Sequence, residues 1–171
     1  MGSKDIVREF TVCGNRVTVH MPAHCAGEAR PDADEGRFGE TSPALPDSLP
    51  AVYLHVHDGD GSEVLRLCRE LGYRDFVLAA IRPRCWNDDL TPWEYPGLFA
   101  DDAPFAGKAA EQLHLLESQI IPRVEGGAPR KPEQRVLAGY SLAGLFATWA
   151  TFNSAARSEE HTSELQSHTS I

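Results

Sequence analysis

The stretch Asp75-Phe76-Val77-Leu78-Ala79-Ala80-Ile81 constrains the fold more than any other, because after Asp75 it is apolar without interruption. A strand with no polar alternation has no face for water and must be covered on both sides. Parallel sheets sandwiched between helices meet that condition. The surrounding pattern agrees with it. Ala51 to His57 is a second β-prone run, ended by Asp58-Gly59-Asp60-Gly61. Ser62 is placed to cap a helix whose apolar side carries Val64, Leu65, Leu67, Cys68 and Leu71, with Gly72 ending it. Helical spacing returns over 107–124 through Ala110, Leu113, Leu116, Glu117, Ile120 and Ile121, and Pro122 is expected to kink that helix or limit its last turn. Arg135 to Tyr140 reads as a short strand and Leu142 to Phe152 as a buried, Ala-rich helix.

Ahead of this alternation, residues 7–20 show period-two patterning broken at Gly14-Asn15, which predicts an antiparallel hairpin at the sheet edge. Residues 21–50 carry Pro, Gly, Asp and Ala without periodicity and read as a loop closed by Pro46 and Pro50. The predicted order is hairpin, then β-α-β-α-β-α. It implies an α/β fold, mostly parallel with an antiparallel N-terminal edge and helices on both faces. At 171 residues there is room for one substantial domain.

Charge and cysteine usage narrow the partners. The formal charge of −9 disfavours nucleic acid, whose phosphates such a surface repels. No run approaches the roughly 20 apolar residues of a membrane span, and the N-terminus lacks an export core. Cys13, Cys25, Cys68 and Cys85 are scattered without a CxxC pair, so reduced, mostly buried thiols in a cytoplasmic protein are expected.

Chemistry concentrates at Gly139-Tyr140-Ser141-Leu142-Ala143-Gly144. The run differs from G-x-S-x-G by Ala143 in the second glycine slot, with Gly144 just behind it. A predicted strand precedes it and a predicted helix follows, the setting in which a serine is held on a sharp turn as a nucleophile. The N–H of Leu142 then faces a developing oxyanion at the positive end of a helix. A second donor is expected from Asp58-Gly59-Asp60-Gly61, with Gly59 preferred. Trp86, Trp93 and Tyr95 lie in a long loop after a strand and suit the lip of a binding pocket. Asp58 and Tyr140 flank the same region.

These residues resemble the esterases related to enterochelin esterase and esterase D. The resemblance covers roughly Val52 to Phe152. It is carried by Tyr53-Leu54-His55-Val56-His57-Asp58-Gly59, by Leu90-Thr91-Pro92-Trp93 and by Leu137 through Phe146. It implies an α/β-hydrolase acting on small-molecule carboxylic esters through an acyl-enzyme, without a cofactor or metal. Ser141 takes the nucleophile position, Leu142 and the Asp58-Gly59 region the oxyanion positions, and the loop from Leu90 to Tyr95 the pocket wall. In that family an acid and then a histidine follow the elbow. About a dozen residues separate Ser141 from the polar segment at 157–171, so the expectation is a partial hydrolase domain over 1–156 without efficient turnover. The uncovered sheet edge beside the elbow strand would favour self-association.

Residues 157–171, RSEEHTSELQSHTSI, resemble the translation of a common sequencing-adapter oligonucleotide and are set apart as an artefactual or disordered tail. His161 and His168 are therefore not candidate bases. Two rival readings remain. His55 and His57, at i and i+2 of a strand, would share one face as metal ligands of a hydrolase. Alternatively Ser141 is an ordinary helix N-cap in a non-catalytic protein.

Overall fold

The structure is a computed structural model that describes residues 5–22, 49–73, 75–97, 103–126, 132 and 134–154. The segment at 157–171, Cys25 and nearly all of the loop expected over 21–50 lie outside the described residues.

Strands β1 (Ile6–Val12) and β2 (Asn15–Met21) form the expected hairpin. Val12 pairs with Asn15, leaving Cys13-Gly14 as the turn. Both turn residues have positive φ, 46° and 84°, the type I′ geometry that suits the twist of a two-residue hairpin. The turn falls one residue earlier than the sequence break suggests, because the side chain of Asn15 is buried and belongs to the strand.

Strand β3 (Ala51–His55) leads through a bend into helix α1 (Ser62–Glu70), then strand β4 (Val77–Arg82). The excursion after β4 contains a short helix α2 (Trp86–Asp89) and two-residue strands β5 (Glu94–Tyr95) and β6 (Phe105–Ala106), which pair antiparallel. Helix α3 (Ala109–Leu115) passes through a π-helical turn, Leu116–Ile120, into α4 (Ile121–Glu125). Strand β7 (Arg135–Gly139) and helix α5 (Leu142–Asn153) complete the described chain. The main sheet has the order β1-β2-β4-β3-β7. Strands β4, β3 and β7 run parallel, while β2 pairs antiparallel with β4.

Alternation along the strands assigns the two faces. Tyr53, Val77, Ala79, Ile81, Val17 and Val19 share one core cluster with Leu113, Leu116, Ile120, Phe146 and Ala150, so α3 through α4 and α5 cover that face. Leu78 and Ala80 point the other way toward α1. There a Cβ on Gly61 would meet the Ala80 Cβ at 2.7 Å and Leu78 Cδ2 at 3.3 Å. Helices on both faces account for the uninterrupted apolarity of β4, all of whose residues from Val77 to Ile81 are buried.

Three local expectations are corrected. Ser62 does not cap α1: Gly61 is the N-cap residue, and the Asp60 carboxylate accepts from the Ser62 N–H at 3.0 Å. The Ser62 hydroxyl and then this N–H, both donating to it, hold the Asp60 carboxyl below its ordinary range. The apolar side of α1 is also narrower than predicted, since Leu65 is buried but Val64, Leu67 and Leu71 are exposed. The helix carries two apolar stripes, 61/65/68 and 64/67/71, and the sheet takes the first. Finally, none of the three described cysteines is buried: Cys13 is exposed at the hairpin turn, and Cys68 and Cys85 are half-buried.

The helix runs on through Pro122 to Glu125, and the ladder ahead of the proline is altered. With no N–H of its own, it leaves the carbonyl one turn back without an ordinary partner and crowds it. The ladder responds by widening, with the Ile121 N–H reaching the Leu116 carbonyl in the π-helical spacing. At the far end of the sheet from the elbow, the buried Tyr53 hydroxyl donates to Glu125 at 2.9 Å, and Glu125 receives both Nε and Nη2 of Arg135. Burial, then the Glu125 charge, holds the Tyr53 phenol well above its ordinary range, so it remains a donor. This cluster joins β3, α4 and β7.

Candidate active site

The strand-to-helix junction after β7 has the backbone of a strained turn. Ser141 adopts φ 57° and ψ −122°, a conformation that costs an L-residue about 1–3 kcal/mol and concentrates at functional sites. Its side chain makes no capping bond. An ordinary N-cap serine has extended φ/ψ and bonds to the N–H of the second or third helical residue; Ser141 does neither. The residue is exposed, and no described residue hydrogen-bonds to its hydroxyl.

Glycines make the turn possible by close approach. A Cβ on Gly139 would lie 2.4 Å from the Ala143 carbonyl carbon and 2.5 Å from its Cβ and its oxygen. Ala143 is fully buried, so the methyl in the second glycine slot is the group against which the strand packs. A Cβ on Gly144 would sit 3.2 Å from the Gly139 oxygen.

Free donors gather at the same point. At the start of α5 the N–H groups of Ala143, Gly144 and Leu145 bond to the carbonyls of Tyr140 and Ser141. The N–H of Leu142 is left without a backbone acceptor among the described residues. In the parallel register His55 stands opposite Gly139. The chain beyond β3, through Asp58-Gly59, and the chain beyond β7, through Ser141, therefore leave the sheet side by side at its carboxyl end, where ligands of open α/β sheets bind. Gly59 has φ 79° and nothing within 4 Å of a built Cβ, so its backbone is open to a ligand.

Of the other residues singled out in the sequence, some gather here and some do not. Trp86 contacts the His57 ring edge-on, with centroids 5.2 Å apart. It lines a groove of about 980 Å³ together with His57 and Tyr95. Trp93, Asp58, Tyr140 and Ser141 are not in the groove lining. Trp93 and Tyr140 are exposed, at 57% and 87%, so neither pins a loop to the body. Asp58 pairs with Arg82 at 3.2 Å. Because β4 flanks β3 on the side away from β7, that contact draws Asp58 away from the elbow.

The shared-face reading of His55 and His57 fails for a local reason: β3 ends at His55, so the two rings do not follow strand periodicity. His55 is buried against Phe146 at 4.8 Å, with its Nε2 3.1 Å from Gln112 Nε2, and Gln112 donates on to Asn15 Oδ1. His57 is exposed beside Trp86. Among the described residues no group of three or more His, Cys, Asp or Glu side chains is arranged to hold a metal. The Asn15–Gln112–His55 chain spans three distant segments and has no local sequence signal. Asp88 and Glu94 in the groove were likewise not foreseen.

A strained serine at a strand-to-helix turn, at the carboxyl end of a parallel sheet with helices on both faces, defines the α/β-hydrolase class. Residues 49–157 match the family described as "Putative esterase", and the chain belongs to that family. Among solved structures it is similar to the siderophore hydrolase EstA from Aspergillus nidulans, with 20% identity and TM-score 0.58 over 89% of this chain and 54% of that one. It is similar to the BES protein from Bacillus cereus, with 14% identity and TM-score 0.56 over 90% and 59%. It also resembles the enterobactin hydrolase IroE in complex with DFP, with 20% identity and TM-score 0.56 over 88% and 59%. The chain thus spans between 54% and 59% of these structures. A comparison with curated protein sequences returns no match. No helix among the described residues is long and apolar enough to cross a membrane.

Proposed function

We propose that this chain carries the nucleophile and oxyanion half of a serine esterase that cleaves small-molecule carboxylic esters through an acyl-enzyme. The observation that carries the proposal is the backbone of Ser141, which projects an uncapped hydroxyl next to the free N–H of Leu142. Attack by Oγ on the ester carbonyl forms a tetrahedral oxyanion, and the Leu142 N–H and a donor from the Gly59 turn stabilise it. Collapse breaks the bond to the leaving oxygen, which departs as the alcohol with the proton given up by Oγ, and leaves the acyl group on Ser141; water then releases the acid and returns a proton to Oγ. Two structurally similar proteins are a siderophore hydrolase and an enterobactin hydrolase, which makes siderophore esters one substrate class to assay.

By resemblance to the family, the general base is a histidine that follows the elbow after an acidic residue. General-base assistance contributes about 10²–10⁴-fold. A fluorophosphonate is therefore expected to form an adduct at Ser141 in a chain spanning the whole esterase domain, and none in Ser141→Ala. Residues 1–171 alone should label slower by about that factor. Intact-mass and peptide mass spectrometry check this; an adduct elsewhere, or none, removes Ser141 from the mechanism.

The proposal extends to compartment and assembly. Free thiols at Cys13, Cys68 and Cys85 fit a reducing cytoplasm. Strand β7 has no partner on its outer side among the described residues, and Val136 on it is 37% exposed. An unpaired parallel strand invites edge pairing. Residues 1–171 are expected to self-associate with rising concentration, and Val136→Lys to shift the distribution toward monomer. Light scattering coupled to size exclusion measures both, and a concentration-independent monomer would exclude this assembly.

A further inference from the structure

We infer that the groove lined by His57, Trp86 and Tyr95 selects esters carrying a positively charged ammonium group on the part lodged against Trp86 and Tyr95. This rests on the assignment of Ser141 and Gly59 above and extends it to substrate class. The groove begins at His57, two residues before Gly59, and runs along the excursion after β4. Among the described residues, the carboxylates in its lining are those of Asp88 and Glu94, and none of the lining residues is a lysine or arginine. Of the cations nearest in the chain, Arg82 pairs with Asp58 and Arg84 with Asp89, while Lys108, whose N–H bonds to the Asp88 carbonyl at 2.9 Å, is outside the lining. Asp88 is fixed in the wall, its Oδ1 accepting from the Ala106 N–H at 3.2 Å.

The aromatic lining acts with the same sign as the charge. Trp86 and His57 meet in a T-shaped contact at an interplanar angle of 78°, and the half-exposed Tyr95 belongs to the same groove. Indole and phenol faces attract cations and repel anions. With two carboxylates and two electron-rich rings lining one concavity, an ammonium group gains from both, and an anionic group is opposed by both.

The test is a pair of esters of the same shape, acetylcholine and 3,3-dimethylbutyl acetate, the second lacking the charge. Titration calorimetry at low salt is expected to show the cation bound about tenfold more tightly, with the preference shrinking as salt is added. In Asp88→Asn/Glu94→Gln the ratio should fall to about one while the neutral ester binds as before. The asparagine keeps an oxygen for the Ala106 N–H, and Glu94 is exposed, so the wall is preserved. Equal binding of the two esters, binding of neither, or a preference surviving in the double variant would overturn the inference. Binding needs no chemistry, so Ser141→Ala should retain the preference. A retained preference with no fluorophosphonate adduct would count against the catalytic reading alone.

Discussion

Replacing Gly139 with alanine is expected to destabilise the protein by about 3 kcal/mol and to abolish adduct formation at Ser141. The added Cβ would meet the carbonyl carbon, oxygen and Cβ of Ala143 at 2.4–2.5 Å. Backbone atoms cannot rotate out of the way as a side-chain end can, so β7 and α5 must separate, and overpacking of this kind costs about 1–3 kcal/mol or more. Separation would carry Ser141 away from its present φ and ψ and turn the Leu142 N–H from the oxyanion position. Trimming the neighbour in Gly139→Ala/Ala143→Gly should not rescue the variant, because two of the three clashes are with backbone atoms that remain. Gly59→Ala provides the contrast: its Cβ meets nothing within 4 Å, and the strain at φ 79° should cost about 1 kcal/mol. Urea denaturation and labelling by mass spectrometry read both quantities. A Gly139→Ala protein as stable and as reactive as the parent would show that the close packing at the elbow is dispensable.

The same contact explains what the sequence could convey about this site. Local features were legible: an uninterrupted apolar β4, an elbow between a strand and an Ala-rich helix, and a Gly-rich turn after β3 each follow from short-range stereochemistry. So does the response to Pro122, although its form, a π-helical turn ending where Ile121 bonds to Leu116, is chosen by packing. Contacts between distant segments were not legible. Asp58 looked like a pocket residue from its place beside Gly59, yet Arg82, on the neighbouring strand, decides where it points. Trp86 and Trp93 looked equivalent in one loop. The short helix α2 sets Trp86 against His57, while Trp93 remains outside the groove lining. The buried stripe of α1 was misjudged for a related reason, since two apolar stripes satisfy helical spacing and only the sheet selects between them.

His55 shows the limit most sharply, and it carries the second large prediction: the fold should lose about 2 kcal/mol of stability between pH 6.5 and pH 5 through this one residue. Its ring is 2% exposed, and its Nδ1 has no hydrogen-bond partner among the described residues. The groups on it are neutral: Gln112 from α3 and the Phe146 ring from α5. Burial alone pushes its pKa down to about 3, because nothing nearby compensates a charge taken out of water. Above pH 6.5 the imidazole is neutral in both the folded and the unfolded chain, so this contribution to stability is complete. As pH falls through the unfolded value near 6.5, the unfolded chain takes up a proton that the folded one refuses, and stability declines by about 1.4 kcal/mol per pH unit until the folded value is reached. His55→Leu removes the titrating group. It should be less stable at pH 7, because Gln112 loses a partner, yet its stability should change less between pH 6.5 and pH 5 by about the 2 kcal/mol stated. Urea midpoints at the two pH values give that difference directly. An equal pH dependence in the parent and the variant would show that His55 takes up its proton in the folded state as readily as in the unfolded chain, and would contradict the buried, uncompensated ring beside Gly139.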